Sequence, residues 1–112
     1  MDTDISVQLH ELHARVCKAI ADPKRLLIIN ELREKELSVG DLSQSLSLTQ
    51  SNVSQHLAIL RERGVVTTRR DGTTIYYALR SQKVVQAVDL LREFMAESLT
   101  EQARLGDALP VR

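Results

Sequence analysis

"TQSNVSQHLAILRERG", residues 49–64, puts short uncharged polar side chains at the start of a helix and an apolar stripe behind them. Thr49 is a residue type that caps helix N-termini, Val53, Leu57 and Leu60 recur at i, i+4 and i+7, and Gly64 ends the run. With the stripe turned inward, Gln50, Ser51, Asn52, Ser54 and Gln55 crowd the first two turns. Just upstream, "SVGDLSQSL" opens with Ser38 three residues before Asp41, a capping-box spacing that predicts a short helix from Val39 to about Leu46. Two short helices joined by about three residues, the second polar at its exposed start, outline a helix-turn-helix.

Working outward, "VVTTRRDGTTIYYAL" is rich in β-branched and aromatic residues and is broken by Asp71-Gly72, read here as a two-residue type I′ turn. The result is a hairpin with Arg69, Arg70, Thr73 and Thr74 at its tip. Ser81 can cap a last helix from Gln82 to about Arg104, with Val84, Val88, Leu91, Met95 and Leu99 along one side. The tail, 105–112, contains Pro110 and is expected to be flexible. On the other side, Leu9, Leu12, Val16 and Ile20 mark a first amphipathic helix. Asp22-Pro23 starts a second, whose Leu26 to Ile29 and Leu32 suit the middle of a core. The predicted fold is mainly α with a β-hairpin wing, a winged helix-turn-helix in the order α-α-α-α-β-β-α, forming a single domain over 1–112.

The size and composition agree with one core: 112 residues, 43% hydrophobic. Net charge is zero, yet between Thr49 and Arg80 five arginines (Arg61, Arg63, Arg69, Arg70, Arg80) face only Glu62 and Asp71. Arginine forks suit phosphate oxygens, so this segment can meet nucleic acid although the whole chain is neutral. No apolar run approaches the roughly 18 residues of a membrane span, and the first residues are acidic, which points to a cytoplasmic protein without a membrane partner. A single cysteine, Cys17, excludes an internal disulfide and a multi-cysteine zinc cluster within one chain. With no glycine-rich phosphate loop, paired-carboxylate motif or nucleophile and base pair, the chain is not expected to be an enzyme.

The element order and four strings resemble the ArsR/SmtB family of bacterial winged-helix repressors. The strings are "ADPKRLLIINEL" (Ala21 to Leu32), "ELSVGDLSQSL" (Glu36 to Leu46), "TQSNVSQHLAILRERGVV" (Thr49 to Val66) and "RRDGTTIYYAL" (Arg69 to Leu79), and the text from Glu36 to Val66 is similar to the HlyU-like branch. The resemblance implies a homodimer that represses from double-stranded operator DNA, a near-palindrome, and is released by a signal. It also implies that the first and last helices form most of the dimer surface. An anti-silencer that displaces another DNA-binding protein, with no effector, would use the same residues.

Gln50, Ser51, Ser54 and Gln55 then face the major groove, where amides can pair with adenine edges and hydroxyls reach phosphates. The same types also favour a solvated helix start on backbone grounds alone. Asn52 points to a phosphate or to solvent. His56 either donates to a phosphate or packs half-buried between the third and fourth helices. Arg61 and Thr73 belong to the same DNA-binding set, and Arg69 and Arg70 read as wing contacts to the backbone or minor groove, with a solvated turn as the plainer reading.

The cysteine pair that many metal sensors of the family carry is absent, its box here holding Ser38 and Gly40. The last-helix Asp and His pattern is absent too, since Leu90, Leu91 and Arg92 follow Asp89. "HELHARVC" sets His10, His13 and Cys17 at i, i+3 and i+7, a face able to hold zinc or a softer ion or, more plainly, a dimer-facing surface with Cys17 packed as a small apolar residue. No resident cofactor is expected. Arg15 and Lys18 could favour a Cys17 thiolate, and a redox role would leave a Cys17 to Cys17 link between two copies as its route.

Overall fold

The computed structural model describes residues 2–108, with side-chain surroundings for residues 4–105. Its elements are α1 (Asp2–Ile20), α2 (Pro23–Glu31), β1 (Leu37–Ser38), α3 (Val39–Leu46), α4 (Gln50–Glu62), β2 (Val66–Asp71), β3 (Thr74–Leu79) and α5 (Gln82–Ala108). They fall into two compact units, Met1–Gln82 and Lys83–Arg112.

Helix boundaries in the first unit follow side-chain chemistry. Asp22 caps α2 by accepting from the amides of Lys24 (2.9 Å) and Arg25 (3.1 Å), and Pro23 occupies the first position, where its missing N–H costs nothing. Ser38 and Asp41 form a reciprocal capping box on α3, each side chain accepting from the other's amide at 3.1 Å. Helix α3 ends at Ser47, which takes the left-handed conformation (φ 56), and the Leu48 amide reaches back to the Ser43 carbonyl at 3.1 Å. Thr49 then caps α4 by accepting from the Asn52 amide at 3.1 Å. At the far end of α4 the Gly64 amide bonds to the Arg61 carbonyl and the Val65 amide to the Leu60 carbonyl, a Schellman motif that needs the positive φ of 78 found at Gly64.

The core of this unit is Ile28, Ile29, Leu32, Leu42, Val53, Leu57, Leu60, Val65 and Val66, with Ala19 from α1. The expected inward stripe of α4 is fully enclosed. Leu27, expected with its neighbours in the middle of the core, is 46% exposed, because α2 buries one side only. Among the described residues no helix is long and apolar enough to cross a membrane.

Two details of the sheet differ from expectation. A short strand, β1, joins the hairpin to give the antiparallel order β1-β3-β2, with Leu37 opposite Tyr77 and Ser38 opposite Tyr76. Two residues are too few to show alternation, so nothing local announces this strand. The turn is also shifted by one residue. Asp71 pairs with Thr74, so the central residues are Gly72 and Thr73 rather than Asp71 and Gly72. Only Gly72 has a positive φ (63), the pattern of a type II′ turn instead of type I′.

The second unit is the body of α5. The helix runs to Ala108, four residues past its expected end, and the rest of the tail lies outside the described residues. Val85 and Val88 are buried, whereas Leu90, Leu91, Phe94, Met95 and Leu99 are each more than half exposed.

Candidate nucleic-acid interface

Helical geometry sorts the residues of α4 into three sides. Val53, Leu57 and Leu60 point into the core, which puts Ser51, Ser54 and Gln55 on the outer, exposed side, with Arg61 exposed at its flank and Gln50 exposed at the first position of the helix, above Val53. Ala58, one turn beyond Ser54, is exposed on that side too. The sequence reading passed over it, although its i+4 spacing from Ser54 was available. A methyl there keeps the outer face low beside the longer Gln55 side chain.

Asn52 and His56, at i and i+4, share the third side. Asn52 is half-buried, and its Oδ1 is enclosed without a hydrogen-bond partner among the described residues. The His56 side chain is 15% exposed, with Nδ1 3.2 Å from Arg25 Nη1 and 4.0 Å from Asp22 Oδ1. It packs against the start of α2. The Arg25 guanidinium also donates to the carbonyls of Ala19, through Nε, and Lys18 (3.4 Å), so it ties the end of α1 to α4. The backbone amide of Arg25 holds the Asp22 carboxyl below its usual range.

Beside the exposed side of α4 lies an open cleft of about 380 Å³, lined by Ser38, Gly40, Ser54, Thr73, Ile75 and Tyr77. It separates α4 from the hairpin. Within the hairpin, directly opposed residues share a face and successive ones alternate. Arg70 is opposite Ile75, so it belongs to the face whose Ile75 and Tyr77 line the cleft. Exposed at the tip, Arg70 has no hydrogen-bond or ion-pair partner among the described residues.

Arg69 is opposite Tyr76, on the other face. Its guanidinium stands 4.9 Å from the Tyr76 ring centroid and is forked onto Glu36, with Nε 3.0 Å from Oε1 and 3.1 Å from Oε2 and with Nη2 bonded to Oε1 as well. Donation from Arg69 holds the Glu36 carboxyl below its usual range, and Glu36 in turn raises the Arg69 pKa. The two arginines that read as one basic tip are thus separated by the pleat. Glu36 was missed because its partner is 33 residues away along the chain.

His10, His13 and Cys17 are exposed on α1, and the Nδ1 of His10 lies 2.7 Å from the Ser6 carbonyl. Among the described residues no three or more His, Cys, Asp or Glu side chains gather closely enough to hold a metal ion.

Known proteins share this fold. The family model for bacterial regulatory protein, arsR family, matches residues 22–68. HlyU of Vibrio cholerae, a transcriptional activator, is 44% identical over 81 residues, covering 72% of this chain and 75% of that one. The chain belongs to the arsR family. A second relative within it, the biofilm growth-associated repressor of Xylella fastidiosa, is 41% identical over 78 residues, 70% of this chain and 68% of its own. Among solved structures, the homodimeric winged helix-turn-helix DNA-binding domain of a possible ArsR-family transcriptional regulator from Mycobacterium bovis superposes with a TM-score of 0.78 at 30% identity, covering 88% of this chain and 91% of that one. The arsR-family model spans the start of α2 through α4 into β2, the segment that carries the exposed polar side and the core behind it.

Proposed function

We propose that the protein is a sequence-specific transcriptional regulator that binds double-stranded operator DNA as a homodimer. The observation that carries this reading is the division of α4. Ser51, Ser54 and Gln55 stand exposed on a helix whose other side, Val53, Leu57 and Leu60, is fully enclosed, and Gln50 is exposed at its first turn, so the polar groups are held at a fixed height above the core. In the major groove the two amides suit adenine edges and the hydroxyls suit phosphates. Arg61, at the flank of that side, extends the contact to the backbone, and Arg70 and Thr73 meet the backbone from the wing. Asn52 and His56 stand outside that set, since their side of α4 is taken up by the approach to α2.

A second copy covers the exposed apolar positions of α1 (Leu9, Leu12) and of α5 (Leu90, Leu91, Phe94, Met95, Leu99). Two α4 helices about 34 Å apart then read a near-palindrome across one DNA turn. This reading is of a binding protein rather than an enzyme, it requires no cofactor, and the cytoplasm is where its DNA would be. The relatives include an activator and a repressor. One protein can act in both senses, repressing where its site overlaps a promoter and relieving repression where it displaces another DNA-binding protein.

Selection of bound duplexes from a randomised pool, followed by affinity measurement across salt concentrations, tests the proposal. A near-palindromic site with affinity that falls as salt rises is expected. Salt-independent or absent DNA affinity would instead leave a winged-helix module used for protein contacts.

A further inference from the structure

The Glu36 to Arg69 pair spans the whole sheet. Ser38 of β1 and Arg69 of β2 both stand opposite Tyr76 of the central strand, and Glu36, two residues before Ser38, continues that face by alternation. The carboxylate therefore reaches from one edge across Tyr76 to the other edge, with the guanidinium over the ring. Ser38, at the near end of this span, is also the N-cap of α3. The far end is one residue from Arg70.

We infer that Glu36 and Arg69 are positioning residues for the wing: they fix the hairpin relative to the helix-turn-helix and leave Arg70 as the arginine of the tip that touches DNA. The inference rests on the DNA-binding reading above. For Arg69 to serve a phosphate it would have to release a forked carboxylate and its ring contact, and the freed Glu36 carboxylate would then repel the same phosphates. Arg70 gives up nothing, because it has no partner among the described residues and its face borders the cleft beside Ser54. An exposed ion pair contributes little to global stability. Its weight here lies in what it orients, since beyond Val66 the side chains of the hairpin are partly buried or exposed.

The test uses the full chain, a mixed-sequence DNA duplex as probe, and three proteins: wild type, Arg70→Gln, and the charge-neutral pair Glu36→Gln with Arg69→Gln. Affinity is measured against salt concentration, and amide exchange is followed across Thr68 to Ile75 in the free protein. Arg70→Gln is expected to lower the slope of log affinity on log salt by about two, because each copy in the dimer loses one phosphate contact. The double variant is expected to keep the wild-type slope, lose about threefold in affinity, as suits an exposed pair, and exchange faster throughout the hairpin. A double variant whose slope drops by about two would overturn the inference by making Arg69 of each copy a phosphate contact. Unchanged hairpin exchange would overturn it by removing the bracing. If wild type binds no duplex at any salt, the DNA-binding reading fails together with the role in DNA binding, and the exchange data alone then show whether the pair orders the wing.

Discussion

Helix α4 and the hairpin flank the same cleft and are built in opposite ways. Three α4 side chains are completely enclosed, and both helix ends are closed by hydrogen bonds, a threonine cap at one and a Schellman turn at the other. Every β3 residue is only partly buried, β2 is enclosed only at Val66, and an ion pair lies across the hairpin's face. In the proposed complex this difference matches the two tasks. Reading base edges needs donors held to within a fraction of an ångström, whereas a cation beside the backbone tolerates movement.

The harshest way to break the comparison is from the core. Leu57→Ala should cost about 2–5 kcal/mol in chemical denaturation, as large-to-small changes at enclosed sites do. A cost below about 1 kcal/mol, the range of surface changes, would mean that α4 is not the rigid partner. Next, Gln50→Ala and Gln55→Ala should each weaken binding to the selected operator by about 1–3 kcal/mol and leave affinity for mixed-sequence duplex nearly unchanged. Equal losses on both duplexes would move these amides from base edges to phosphates. Thr49→Ala, which removes only the cap, should lower stability by about 1 kcal/mol without altering the salt slope.

The smallest effect is a pH dependence confined to the wing. The Glu36 carboxyl titrates below its ordinary 4.5 in the folded protein, so the stabilisation is present above that value and is lost as pH falls through the depressed folded one. Arg69, shifted upward, stays charged throughout. Protection of the hairpin amides, relative to their intrinsic exchange rates, should therefore fall on acidification below about pH 4.5 in wild type and show no such step in Glu36→Gln. The same step in both proteins would assign it to other carboxylates, of which Asp22 and Asp41 are likewise depressed, Asp41 by the Ser38 amide and hydroxyl.

What was legible in the sequence was what local chemistry determines. Asp22-Pro23, the Ser38 and Asp41 box, Thr49 and Gly64 each set a helix end within a few residues of themselves, so the helix-turn-helix could be read directly. The inward stripe of α4 followed from spacing alone. The two-residue strand β1 was not legible, because it exists only by pairing with β3 some 40 residues later. The turn moved by one position because cross-strand register, rather than the Asp71-Gly72 dipeptide, chooses which residues sit at the bend. Arg69 and Arg70 looked alike for the same reason: adjacency in the chain says nothing about which arginine finds a carboxylate across a sheet.

Arg25 carries a consequence of a different kind. One guanidinium joins the last carbonyls of α1, the first turn of α2 and the imidazole of α4, so the energies of these three contacts are not separable. A lysine in its place would keep the charge and lose the planar fork that reaches all of them at once. The angle at which α4 leaves the body of the protein is thereby a shared property of three helices, held through one side chain.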